Sequence, residues 1–250
     1  MQTQTLASED VASAFDDAAE RYDVMVALNP GYHRHLRSAT DALVERLPHS
    51  SRPLIADLGC GSGASTRALV HSLEHADHPI DVVGVDASKG MLEQARRKVW
   101  PDGVGFVHGR AEELAFSRAD WRLSRSADAV FAAYLFRNIT ERDDVLDQVH
   151  EVLTHGGVLV AQEYSVAGAP HAGIIWSFVC WLVVIPLSWL TSRETRLYRY
   201  LWRSVRTFDS VDRFTERLHR AGFVDVEVRT APGWQRGILH TFRACKADES

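Results

Sequence analysis

The sequence predicts an α/β fold: a mostly parallel sheet of seven strands closed by an antiparallel pair, with N-terminal helices and a helical insertion after the fifth strand. Three observations predict it. Short β-branched runs alternate with helical segments, a glycine-rich turn joins the first run to the helix behind it, and the last two runs have no helix between them.

The first 50 residues read as a helical cap. Val11, Phe15 and Ala18 fall at helical spacing behind a capping Ser8 or Asp10. A second helix is predicted over 32–47, closed by Pro48, with His33 and His35 on its surface. Residues 51–163 form the core. There PLIADLG (53–59), IDVVGVD (80–86), GVGFVHG (103–109), ADAVFAAY (127–134) and, after Gly156-Gly157, VLVAQE (158–163) are strands. Helices over 66–73, 90–99 and 143–153 connect them, and crossovers of this length imply parallel pairing. Residues 164–206 are an insertion. Residues 207–250 complete the sheet with a helix (211–223) and two adjacent strands (224–230 and 237–246), which are expected to be antiparallel.

Composition narrows the class. Apolar residues at 46% and charged residues at 24% suit a globular domain, and a net charge of −5 gives no global attraction for nucleic acid. Cys60, Cys180 and Cys245 are too sparse for a disulfide framework or a structural zinc site. The N-terminus carries acids where a secretion signal needs bases, so a cytoplasmic location is expected.

The strongest chemical signal is Asp57-Leu58-Gly59-Cys60-Gly61-Ser62-Gly63, between a strand and a helix. Glycines let the backbone turn tightly beneath a ligand, and the helix start offers unpaired N–H groups. Asp86, ending the next strand, is placed to accept from a ribose diol. A nicotinamide dehydrogenase would show G-x-G-x-x-G. Here the spacing is G-x-G-x-G, and Asp57 suits a cationic amino-acid moiety better than a pyrophosphate.

DLGCGSG followed by GVDASKGML resembles the cofactor segment of class I S-adenosylmethionine methyltransferases, which have a Rossmann-like sheet. The resemblance implies S-adenosyl-L-methionine as methyl donor. It also implies cofactor contacts from Asp57, Gly59, Gly61, Ser62, Gly63, Asp86, Ala87, Met91, Arg110, Ala111 and Ala133. Arg110 stands where an acid or amide usually meets adenine and cannot accept a hydrogen bond, which shifts that role to the backbone at Ala111.

Four more segments resemble the ubiquinone/menaquinone biosynthesis C-methyltransferase family, of which this chain looks like a divergent member. They are Tyr22-Asp23-Val24-Met25 with His33, LFRNITERDD, VLTHGGVLVAQEYS, and LYRYLWRSVRTFDSVDRFTERLHRAGFVDVEV with Leu239-His240. The resemblance implies methylation of a ring carbon on a prenylated quinol. Arg137 is then expected to stabilise a phenolate and Asn138 to hold a ring oxygen, with Tyr22, His33 and His240 as further candidates. No metal-ligand spacing and no nucleophile elbow is found, so neither a metal nor a covalent intermediate is expected.

The insertion begins with the uncharged GIIWSFVCWLVVIPLSWL (173–190), about 27 Å long as a helix. A single crossing would separate the last strands from their sheet, and Pro186 favours a break, so no span is expected. Arg193, Arg196, Arg199, Arg203 and Arg206 recur at helical steps, and Trp176, Trp181, Trp189, Trp202, Tyr198 and Tyr200 share the region. Residues 173–206 are therefore expected either to lie against the inner face of a membrane or to form a buried lid. Partners expected are a lipophilic small molecule and that membrane surface. The sequence is compatible with a homodimer. N-methylation of a phospholipid amine, methylation of a soluble aromatic, and a non-catalytic cofactor-binding scaffold stand as alternatives.

Overall fold

The computed structural model describes residues 31–48, 50–114, 126–186 and 196–248. The helix expected around residues 11–18 and the expected site residue Tyr22 lie outside them.

Five strands run parallel: β1 (Ile55–Leu58), β2 (Val82–Asp86), β3 (Val104–His108), β4 (Ala127–Ala133) and β5 (Leu153–Tyr164). Two more complete the sheet, β6 (Phe223–Thr230) and β7 (Leu239–Lys246), in the order β3-β2-β1-β4-β5-β7-β6. The expected antiparallel pair is present, and β7 also inserts antiparallel between β5 and β6. β5 starts before the glycine pair: Leu153 is paired with Ala127, and the register breaks before Ala129↔Val158. Gly156, at φ 71, takes up that irregularity.

The central strands are apolar on both faces because helices cover both. Ala56, Leu58, Val130, Ala132, Leu159 and Ala161 face one core, shared with α4 (Arg142–Val152) and α7 (Val211–Arg220). The alternate residues Ile55, Ala129, Phe131, Val158 and Val160 face α1 (Tyr32–Val44) and α2 (Ala64–His75). α3 (Lys89–Arg96) connects β2 to β3 and buries Met91, Leu92 and Ala95. α1 sits in the helical layer itself, with Leu36, Ala39 and Leu43 fully buried. His35, expected on the surface, is buried too, because the helix turns the 35–39–42 line toward the sheet.

The insertion is helical. α5 (Pro170–Val179) passes into a π-helical turn (Cys180–Val184), and α6 (Arg196–Thr207) returns to the core. The widened turn ends two residues before Pro186, whose ring disfavours a regular helical turn ahead of it. Trp176 is buried, its indole N–H pointing at the Trp202 carbonyl (3.4 Å), while the Trp202 indole donates to Ser177 Oγ (3.2 Å). These two tryptophans lace α5 to α6 and are not a surface belt. No helix among the described residues is long and apolar enough to cross a membrane.

Strand order reverses between β1 and β4. Connections leave in opposite directions there, which opens a crevice beyond the carboxyl ends of the strands.

Candidate active site

A cleft with about 1020 Å³ of open volume occupies that crevice. Its floor is the loop after β1. Gly59, Gly61 and Gly63 all have positive φ (69°, 53° and 89°), which bends the chain back from β1 into α2. A Cβ on Gly59 would stand 2.9 Å from the Leu135 side chain, whereas one on Gly61 would meet nothing within 4 Å. The first glycine is demanded by packing, and the second leaves backbone open to the cleft. Gly63 does not line the cleft; it lies against Trp100, 2.8 Å from where its Cβ would stand.

The loop is held from several sides. Asp86 Oδ2 accepts from Gly61 N (2.7 Å) and its Oδ1 from Ser88 N (2.8 Å). Lys98 Nζ donates to the Ser62 carbonyl (2.7 Å), and the Arg67 guanidinium lies 4.0 Å over the Trp100 ring. Lys98 and Trp100, just past the end of α3, brace the loop through contacts that carry no sequence motif.

Of the expected cofactor residues, Gly59, Gly61, Ser62, Asp86, Ala87, Met91, Ala111 and Ala133 line the cleft, with Leu58, Val85 and Ile139 as further apolar wall. Such walls, with Asp86 beside the loop, fit a nucleoside. Asp57 and Arg110 stand outside the lining. Asp57 is fully buried; its Oδ2 accepts from Ser65 Oγ (2.8 Å) and Thr66 Oγ1 (2.6 Å), and its Oδ1 has no hydrogen-bond partner among the described residues. Burial pushes its pKa up to about 7, against the two hydroxyls, with Asp86 adding to the rise. Arg110 turns to Glu112 (3.3 Å), and it is Glu112 that lines the cleft.

The far end of the cleft is built after β4. Tyr134, at φ 60, turns the chain into a short 3₁₀ turn (Phe136–Asn138) that brings Arg137 and Asn138 to the lining. Arg137 Nη1 donates to Glu163 Oε2 (2.9 Å), with both side chains almost wholly buried. Burial raises the Glu163 pKa, and Arg137 together with the nearby backbone N–H groups of Arg137 and Phe136 opposes that rise. Asn138 donates from Nδ2 to the Tyr134 carbonyl (3.1 Å) and accepts at Oδ1 from Tyr200 Oη (3.0 Å). Tyr134 sits in a ladder of stacked rings with Tyr32 (5.4 Å) and Tyr164 (5.1 Å), and Trp176 stacks on Tyr164 (5.1 Å).

His240 does not line the cleft. It is the register partner of Glu163, so the two side chains leave the same face of the sheet, and burial holds its pKa below the usual imidazole value. His33 is exposed on α1. Glu163 and Tyr200 are the residues sequence reasoning missed. An acid closing an otherwise apolar strand was the available signal for the first; for the second there was none beyond its helical phase.

A family model described as the ubiE/COQ5 methyltransferase family matches residues 3–246. A demethylmenaquinone methyltransferase of Beutenbergia cavernae is 33% identical over 241 residues, covering 95% of this chain and 91% of the relative. One from Paenarthrobacter aurescens is 30% identical over 242 residues, covering 96% and 88%. Among solved structures, the Haemonchus contortus phosphoethanolamine N-methyltransferase 2 in complex with S-adenosyl-L-methionine superimposes with a TM-score of 0.66 at 16% identity, over 99% of this chain and 62% of that one. That likeness is one of fold.

Glu163→Gln leaves Arg137 cationic in a buried place without its counter-charge. The substitution is expected to destabilise the fold by about 3 kcal/mol, as half-broken buried pairs do, and urea unfolding at pH 7 measures it.

Proposed function

The chain belongs to the ubiE/COQ5 methyltransferase family and is an S-adenosylmethionine-dependent methyltransferase; on that premise we propose that it methylates a ring carbon of a prenylated quinol. The observation that supports this acceptor most directly is the buried, glutamate-anchored Arg137 lining the cleft beside Asn138, across from the glycine loop.

The cofactor supplies an electrophilic methyl group on a sulfonium. Asp86 is the residue for its ribose, Met91 and Ala111 for the faces of its adenine, and Glu112, on the cleft wall, for the adenine amine. Ring-carbon attack requires the adjacent hydroxyl to give up its proton, and a free phenol holds that proton to about pH 10. A fixed guanidinium stabilises the phenolate and brings that pKa down, while remaining protonated itself. Asn138 offers an amide N–H to a ring oxygen, which aims the carbon at the methyl group. With the cofactor bound, the ring carbon would take its methyl group, the neutral thioether would leave, and the ring C–H proton would pass to water, restoring aromaticity.

Asp57 stands outside the cleft lining, but its orphaned Oδ1 supports it as the partner for the cofactor's ammonium group. In the ligand-free chain this carboxyl is largely protonated below pH 7. A neighbouring cation favours the ionised form, so binding expels a proton, and affinity rises with pH up to about 7 before levelling. Titration calorimetry with S-adenosylhomocysteine in two buffers is expected to show release approaching one proton at pH 6 and falling away as the pH rises through 7. Asp57→Asn is expected to abolish the release.

The acceptor is tested with purified protein, labelled S-adenosylmethionine, a demethylmenaquinol and phosphatidylethanolamine. Label is expected on the quinol ring carbon, and label on the phospholipid or on neither would sink the quinol reading.

The insertion supports a membrane-surface contact. Ile174, Phe178 and Leu182 are 68%, 64% and 60% exposed, Ile175 and Trp181 join them, and Arg199, Arg203 and Arg206 are exposed on α6, with Arg206 sharing a groove with Ile174 and Phe178. Apolar surface next to cations is what anionic lipid attracts. Flotation with phosphatidylglycerol vesicles is expected to capture the protein and to lose it when Arg199, Arg203 and Arg206 are changed to Gln; indifference to that change removes the contact.

A further inference from the structure

We propose that Tyr200, carried by the insertion helix, is a positioning residue for methyl transfer: it fixes the Asn138 amide so that one amide N–H faces the acceptor. The inference rests on the reading of Asn138 as an acceptor contact.

The orientation of that amide follows from its two partners. The Tyr134 carbonyl only accepts, so the nitrogen end of Asn138 must face it, at 3.1 Å. The oxygen end then faces Tyr200, 3.0 Å away, and the phenol is the donor. A primary amide has two N–H groups and one is spent on Tyr134. Because Asn138 lines the cleft, the second is the one directed to a ring oxygen. Without the Tyr200 hydroxyl, Oδ1 loses this donor, and the amide is free to turn about its one remaining anchor.

Helical phase brings Tyr200 there. Ser204 and Val205, one turn further along α6, are buried, whereas Arg199, Arg203 and Arg206 are exposed. Tyr200 lies on the inward side with the former and reaches a residue 62 positions earlier. Burial raises its pKa, with nearby Arg137 opposing, so the phenol keeps its proton and remains a donor at neutral pH. Of the two expectations for the insertion, membrane contact or lid, Tyr200 follows the second: it turns inward to Asn138.

The test is a double-mutant cycle of Tyr200→Phe and Asn138→Ala, followed by methyl transfer from labelled S-adenosylmethionine to a short-chain demethylmenaquinol. Tyr200→Phe keeps the ring and its packing. It is expected to lower kcat about tenfold, the scale of one lost hydrogen bond in an oriented site, with KM for S-adenosylmethionine and the thermal midpoint unchanged. In the Asn138→Ala background the same change is expected to have no further effect. Full kcat in Tyr200→Phe, an equal fold-loss in both backgrounds, or a loss that tracks a lowered thermal midpoint overturns the proposal. An Asn138→Ala enzyme with undiminished turnover overturns it as well, but by removing the acceptor contact itself. A wrong quinol assignment shows separately, as wild-type enzyme that leaves the quinol unlabelled.

Discussion

The carboxylate of Asp86 accepts from Gly61 N and Ser88 N, and so ties the loop after β1 to the start of α3. Two crossover connections that leave neighbouring strands thereby become one surface. Ser88 carries the constraint onward: its Oγ accepts from Met91 N (3.1 Å) and caps α3, which sets Met91 in the cleft wall. Glycine at position 61 and aspartate at position 86 are therefore not independent contacts. The glycine bends the chain at φ 53 so that its N–H meets the acid, and the acid holds the bend in place. Charge at that spot also reaches inward, since Asp86 adds to the raised pKa of Asp57.

The Arg137 end of the cleft depends on two consecutive polar residues of a buried strand. In β5, Gln162 and Glu163 point to opposite faces. Gln162 Nε2 donates to the His35 carbonyl (2.9 Å) and holds α1, while Glu163 holds Arg137. Between them the Gln162 carbonyl accepts from Tyr134 N (2.7 Å), which pins the left-handed turn that aims Arg137 and Asn138. An aromatic residue at positive φ is strained by about 1–3 kcal/mol, and such strain persists where the surroundings over-determine it. Here stacking on Tyr32 and Tyr164 and the bond to β5 both do so.

Most of the sheet was legible because its signals are local. β-Branched runs, glycines at strand ends and helix-length spacers mark β1 to β5 and their crossovers without reference to anything distant. Asp86, Gly59 and Gly61 were legible for the same reason: strand, glycine loop and following acid sit close together in the chain. What escaped was set by long-range contact. His35 reads as polar helix surface, yet the sheet covers it. Glu163 reads as a strand end, and its meaning comes from Arg137, 26 residues away. Arg110 belongs to the expected motif, but a motif does not say which way a side chain turns: it turns to Glu112, which lines the cleft in its place. The tryptophans of the insertion left two readings open for a related reason. An indole suits a membrane interface and a helix–helix crossing equally well, and Trp176 and Trp202 pair with the opposite helix.

α6 shows how one helix serves both solvent and site. Its arginines at 199, 203 and 206 follow the helical period on the outside, and Arg206 covers the Trp202 ring at 5.0 Å. Residue 200 lies about 100° round the axis from residue 199, enough to take the phenol off the charged face and toward the 3₁₀ turn after β4. Because side chains on one short helix cannot turn independently of its backbone, the direction of the arginines and the reach of Tyr200 are set by a single rotation. The crossing with α5, fixed by two indole hydrogen bonds, sets that rotation in turn. The tryptophan-rich segment thus acts on the cleft through geometry: it contributes no group to the lining from Trp176 or Trp202, but it holds the helix from which Asn138 receives its hydrogen bond.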